Sequence, residues 1–93
     1  MIHILLKDFG LRVRKLRLDR DWSQETLAAE SGFHRTYIGM IERGERNISL
    51  TNIAVFAKVF EIELSDLLDL KKVNSKHSFK SYSFKQNLID KSK

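Results

Sequence analysis

Apolar residues recur at helical rather than alternating intervals along most of this chain. Ile2, Leu5, Leu6, Phe9, Val13 and Leu16 follow that spacing and predict a first helix over about 6–18. Gly10 weakens it slightly, and Lys7, Arg12, Arg14, Lys15 and Arg20 line its other faces. Three later helix starts repeat one device, a capping residue with apolar residues just before it and four after it. Trp22 and Leu27 flank Ser23, Phe33 and Ile38 flank His34, and Ile48 and Ile53 flank Ser49. The device predicts helices over 24–30, 35–43 and 50–60, although histidine ranks well below serine as a cap. Leu50, Ile53, Ala54, Ala57 and Phe60 make the expected buried stripe of the fourth helix. A short fifth follows Ser65, from Asp66 to Leu70. No strand pattern occurs before residue 71, so the expected fold class is all-α, a compact bundle of five helices.

The second and third helices are joined by a tight corner, Ser31-Gly32-Phe33-His34. Leu27, Ala28, Phe33, Ile38 and Ile41 sit where the two must touch; Ala28 permits a close crossing and Gly32 suits a left-handed corner. The third helix then turns Arg35, Thr36, Tyr37, Gly39, Met40 and Arg43 outward, a face with donors, acceptors and apolar groups but no carboxylate. Such a face suits a helix lying in the major groove of DNA.

Charge divides the chain in two. The net +5 arises from ten Lys and Arg against eleven acids in residues 1–70, and seven lysines against Asp90 alone in 71–93. Residues 1–70 therefore read as a nearly neutral DNA-binding domain, and 71–93 as a basic Lys/Ser-rich extension carrying Phe79, Tyr82 and Phe84. The placement of arginines, not the overall charge, has to carry any argument for nucleic acid.

Other chemistries find little support. No apolar run is long enough to span a membrane. Met1 to Leu6 is too short for a signal peptide and lacks a basic leader, so a cytoplasmic location is expected. The absence of cysteine excludes a disulfide framework and thiolate metal sites. His3, His34 and His77 share no ligand spacing, and neither a nucleophile–base pair nor a Gly-rich phosphate loop is present. The expectation is a protein with no metal, no cofactor and no catalytic residue, not an enzyme.

Gln24-x-x-Leu27-Ala28, Gly32, Ile38 and Ile41-Glu42-Arg43-Gly44 together resemble the helix-turn-helix of lambdoid phage repressors and Xre-type regulators, over about residues 7–70. Within that group, Arg35-Thr-Tyr-Ile38, Ile41-Glu-Arg-Gly44 and Arg46-Asn-Ile-Ser-Leu50 are similar to controller proteins of restriction–modification systems. Ser31 departs from the pattern at a corner that is more often apolar, and the 71–93 extension passes its usual end.

This combination assigns roles. Arg35 and Thr36, in the first turn of the third helix, are candidates for base contact, and Tyr37 for a base, sugar or phosphate. The resemblance makes Arg46 a further base reader. Gln24, Arg43, Asn47, Ser49, Thr51 and Asn52 are candidates for backbone phosphate, with turn and cap chemistry an equal reading for Asn47 and Thr51. The resemblance also implies that Arg17 and Glu42 form a structural ion pair between the first and third helices.

A short recognition helix reads few base pairs, so a homodimer on a near-palindromic operator in double-stranded DNA is expected. Phe56, Val59, Ile62, Leu64, Leu67, Leu68 and Leu70 look too numerous for one small core and are assigned to the dimer interface. The function expected is sequence-specific transcriptional regulation, by blocking RNA polymerase or contacting it. The alternative is an antitoxin-type regulator whose tail engages a partner protein.

Overall fold

In a computed structural model, which describes residues 2–73, the chain folds into five α-helices and a short 3₁₀ turn. They are α1 (Ile2–Asp19), α2 (Gln24–Ser31), α3 (Arg35–Glu42), α4 (Leu50–Phe60) and α5 (Leu64–Leu67), followed by the turn Leu70–Lys72. No strand occurs among the described residues. His77, Phe79, Tyr82, Phe84 and the rest of 74–93 lie outside them.

The repeated start device forms three times. Ser23 Oγ accepts the Thr26 N–H at 3.0 Å, and Ser49 Oγ accepts that of Asn52 at 3.1 Å. His34 does the same work despite its rank, its Nδ1 accepting the Thr36 N–H at 3.1 Å. Between α2 and α3, Gly32 takes the left-handed conformation at φ 79°. Ser31 has a local reason to be polar: its hydroxyl donates to the Ala28 carbonyl at 3.3 Å and accepts the Phe33 N–H at 3.2 Å.

Phe56 of α4 is the centre of the core, fully buried with Phe9 of α1, Phe33 and Phe60 around its ring at 5.3–6.4 Å between centroids. Val13, Leu16, Leu27, Ile38, Ile41 and Leu67 complete it, and Trp22 stacks on Phe60. The stripe of α4 is consequently rotated from expectation. Phe56, Ala57 and Phe60 are buried, whereas Leu50 and Ala54 face out.

Two ends also differ from the sequence reading. The first helix begins at Ile2, so Ile2 and Leu5 extend it as exposed residues instead of filling the core. The fifth helix spans Leu64–Leu67, because Ser65 lies inside it and Glu63 stands at its N-cap without a side-chain cap bond.

The packing of α1 on α3 depends on Gly10. A Cβ there would lie 2.3 Å from the Ile41 carbonyl oxygen and 2.7 Å from that of Glu42. The glycine is thus the point where two helices approach backbone to backbone, which its low helix propensity conceals.

Candidate nucleic-acid interface

The first turn of α3 and the loop after it gather the expected base readers. Arg35 and Thr36 are exposed on that turn. Tyr37 is half-buried, its ring edge-on to Phe33 at 5.0 Å, and its hydroxyl accepts a bond from Asn52 Nδ2 at 2.9 Å. Arg46, exposed in the loop, holds its guanidinium 5.4 Å from the centre of the Tyr37 ring. Tyr37 therefore joins α3, α4 and the loop into one surface, and it serves packing and the exposed face together.

Two features of that face depart from expectation. Gly39 is buried, with Arg43 Nη1 3.0 Å from where a Cβ would lie. The face is also not free of carboxylates. Glu25, projecting from the first turn of α2, meets Arg35 at 2.7 Å between Oε2 and Nε. Its own backbone N–H, then Arg35 and the Ser23 hydroxyl, hold the Glu25 carboxyl below its usual range. Arg43 is similarly engaged by Glu45 at 3.0 Å, which lowers the Glu45 carboxyl.

The phosphate candidates separate into two groups. Thr51 and Asn47 are exposed, and Ser49 caps α4, so the first turn of that helix opens to solvent beside Asn52. Gln24 is half-buried and more constrained: its Nε2 donates to Glu42 Oε1 at 3.1 Å, which orients the amide and uses one of its two N–H groups.

That contact leads to the buried clasp. Arg17 Nε and Nη2 donate to the two oxygens of Glu42 at 2.6 and 2.9 Å, and Arg17 Nη1 donates to the Trp22 carbonyl at 2.8 Å. Both side chains are buried, and the fork-to-fork geometry satisfies guanidinium and carboxylate alike. The Glu42 hydrogen bonds raise the Arg17 pKa still further, against the opposing effect of burial.

Arg12 is a comparable residue that the sequence pattern placed on the outer faces of α1. It is buried, donating to the Leu67 carbonyl at 3.3 Å, the Asp66 carbonyl at 2.9 Å and the Asp66 carboxylate at 3.1 Å. No local signal could have placed it, because its acceptors lie more than fifty residues away in sequence.

The expected dimer residues require a correction. Phe56 and Leu67 are fully enclosed within one chain and Leu70 nearly so, because the single-chain core consumes them. Val59 and Ile62 pack against that core. Leu64 and Leu68 remain exposed, and Leu68 borders an apolar hollow with Leu5, Leu6, Phe9, Ile48 and Ile53.

No cluster of three His, Cys, Asp or Glu able to hold a metal occurs among the described residues, and no helix among them is long and apolar enough to cross a membrane.

Two short helices around a glycine corner, the second presenting polar groups, define a helix-turn-helix protein, and the family profile described as "Helix-turn-helix" matches residues 13–67. The chain belongs to that family and is a DNA-binding transcriptional regulator, not an enzyme. Its relatives are more specific than the family. It is 47% identical over 68 residues to the control protein C.BamHI of Bacillus amyloliquefaciens, covering 72% of this chain and 84% of that one. The control protein C.SmaI of Serratia marcescens is 46% identical over 56 residues, 60% of this chain and 67% of that one. The crystal structure of the restriction–modification controller protein C.AhdI from Aeromonas hydrophila superposes with a TM-score of 0.64 at 50% identity, covering 67% of this chain and 94% of that one. The chain is thus a homologue of restriction–modification controller proteins.

Proposed function

We propose that this regulator acts as a homodimer on a near-palindromic operator, each copy placing α3 in the major groove with Arg35, Thr36, Tyr37 and Arg46 toward base edges. The observation that carries this reading is the exposure of Arg35 and Thr36 on the first turn of α3 together with that of Arg46, whose guanidinium lies over the Tyr37 ring. An arginine can make two hydrogen bonds to guanine O6 and N7, and a tyrosine ring offers an apolar surface to a thymine methyl. Arg43, Asn47, Ser49, Thr51 and Asn52 are the phosphate contacts, helped by the open first turn of α4. Gln24 has a second amide N–H to offer a phosphate while the first holds Glu42.

The dimer surface is built on Leu64, Leu68 and the adjoining apolar hollow, and it spaces the two recognition helices about 34 Å apart. A Leu68→Glu variant is expected to sediment as a monomer at concentrations where the parent is a dimer, and to lose operator affinity with it. The 71–93 extension adds sequence-independent attraction through its seven lysines, so removing it is expected to flatten the dependence of binding on salt. The controller proteins among its relatives suggest the genes of a restriction–modification system as targets, and a cytoplasmic site of action. A dimer on one operator obstructs RNA polymerase or, set upstream, contacts it.

Selection of bound duplexes from a random pool tests the proposal, since it reports operator, half-site spacing and stoichiometry together. A two-fold related consensus is expected. Recovery of no consensus, or loss of none of it in Arg35→Ala, would overturn the reading.

A further inference from the structure

We propose that His34 contacts DNA directly: while one nitrogen of its ring caps α3, the other, Nε2, donates its N–H to an acceptor atom of the duplex. The inference rests on the reading that α3 enters the major groove.

The cap settles which nitrogen holds the proton. His34 Nδ1 accepts the Thr36 N–H at 3.1 Å, so it presents a lone pair there and the proton of the neutral ring sits on Nε2. The same bond fixes how the ring lies, with Nδ1 against the backbone of the first turn and Nε2 on the far side. His34 is exposed, and Nε2 has no hydrogen-bond partner among the described residues. Ser23 and Ser49 cap α2 and α4 with the last heavy atom of their side chains. Histidine caps with one ring atom and carries a second polar atom beyond it.

That second atom stands at the end of α3 that goes to the base edges in a helix-turn-helix complex, on the residue just before the exposed Arg35 and Thr36. In the free protein, water satisfies the N–H. Seating the helix shields this edge of the ring, and an N–H shut off from water without an acceptor weakens the complex. Phosphates offer acceptors everywhere along the groove, and base edges offer them only in certain sequences. The chemistry is the same at either place. Made to a phosphate, the bond adds to affinity for any duplex; made to a base edge, it adds to affinity for the correct one.

The test replaces the ring by serine, which this chain already uses to cap α2 and α4 and which ranks above histidine as a cap. The parent and His34→Ser are compared in thermal unfolding and in binding to a duplex selected from a random pool and to a scrambled duplex. His34→Ser is expected to unfold at the same temperature or higher, yet to bind the selected duplex about 5-fold more weakly, the scale of one hydrogen bond. An equal loss on scrambled DNA assigns the acceptor to a phosphate, and a loss confined to the selected duplex assigns it to a base edge. Unchanged binding to both overturns the inference. So does weaker binding that comes with a lower unfolding temperature, since the ring would then act as a cap alone. Nitrogen-15 spectra of the free protein should show the neutral His34 ring protonated at Nε2, and a proton on Nδ1 instead would also overturn it. These outcomes leave the proposed function standing, whereas a parent protein with no preferred duplex removes both.

Discussion

Arg17 with Glu42 and Arg35 with Glu25 are chemically the same pair, set 2.6 and 2.7 Å apart. Their surroundings differ completely. The first pair exposes 8% and 3% of its side chains, the second 58% and 63%. Buried, the pair costs desolvation and recovers it only through complete hydrogen bonding, which Trp22 and Gln24 help to supply. Exposed, it costs almost nothing to break and is worth little to folding. The contrast shows how one helix-turn-helix uses arginine twice. One guanidinium is locked to fix the angle of α3 on α1, and the other is loosely held where it can change partners.

The largest effect should come from stranding a charge in the buried clasp. Arg17→Ala leaves Glu42 without its main partners and is expected to lower stability by about 3–5 kcal/mol in urea unfolding. Arg35→Ala should change it by less than about 0.5 kcal/mol. Replacing Arg17 and Glu42 together by Met should recover much of the loss, since no unpaired charge then remains. Similar unfolding midpoints for Arg17→Ala and Arg35→Ala would erase the distinction between the pairs.

Gly10 supplies the closeness that the clasp needs. A methyl group 2.3 Å from the Ile41 carbonyl must push α1 from α3, and both contacts are backbone that cannot swing aside. Gly10→Ala is expected to destabilise by about 1–3 kcal/mol even though alanine is the better helix former. A stabilised Gly10→Ala variant would mean that α1 shifts freely and that the clasp does not depend on this approach.

For the exposed pair the readout is DNA rather than stability. Arg35→Ala should cost about 1–3 kcal/mol on the selected operator, concentrated at one base pair of each half-site, and much less on scrambled DNA. Equal losses on both duplexes would reduce Arg35 to a phosphate contact.

These differences also explain which features were legible in the sequence. The starts of α2, α3 and α4 were readable because caps and staples are local chemistry, set by residues within one turn. Even His34 kept its place in the repeated device. Arg12 and Gly10 were misread because their roles depend on carbonyls brought near by tertiary packing. Phe56 and Leu67 looked like surplus apolar residues, since a helix pattern does not reveal how much of its surface the neighbouring helices will enclose. On the candidate face, Arg35 and Arg46 were marked by the motif. Glu25 was not, because it approaches from the preceding helix and only the angle of the corner sets its distance to Arg35.

A third pair lies between the two extremes and gives the smallest expected effect. Arg12 is 5% exposed and Asp66 38%, and Lys72 also contacts the Asp66 carboxylate. The Lys72 hydrogen bond first, and then the charges of Lys72 and Arg12, lower the Asp66 pKa below its ordinary 3.8 against the opposing effect of partial burial. A folded-state pKa below the unfolded one means that the unfolded chain takes up the proton first as pH falls. The stabilisation is therefore complete above the ordinary value and disappears as pH drops through the lower folded one. Asp66→Asn should accordingly be slightly less stable than the parent at neutral pH, and the two urea curves should converge in strong acid. A gap of constant size at every pH would show that Asp66 holds α5 as a neutral hydrogen-bond acceptor would, and that its charge adds nothing to the grip of Arg12.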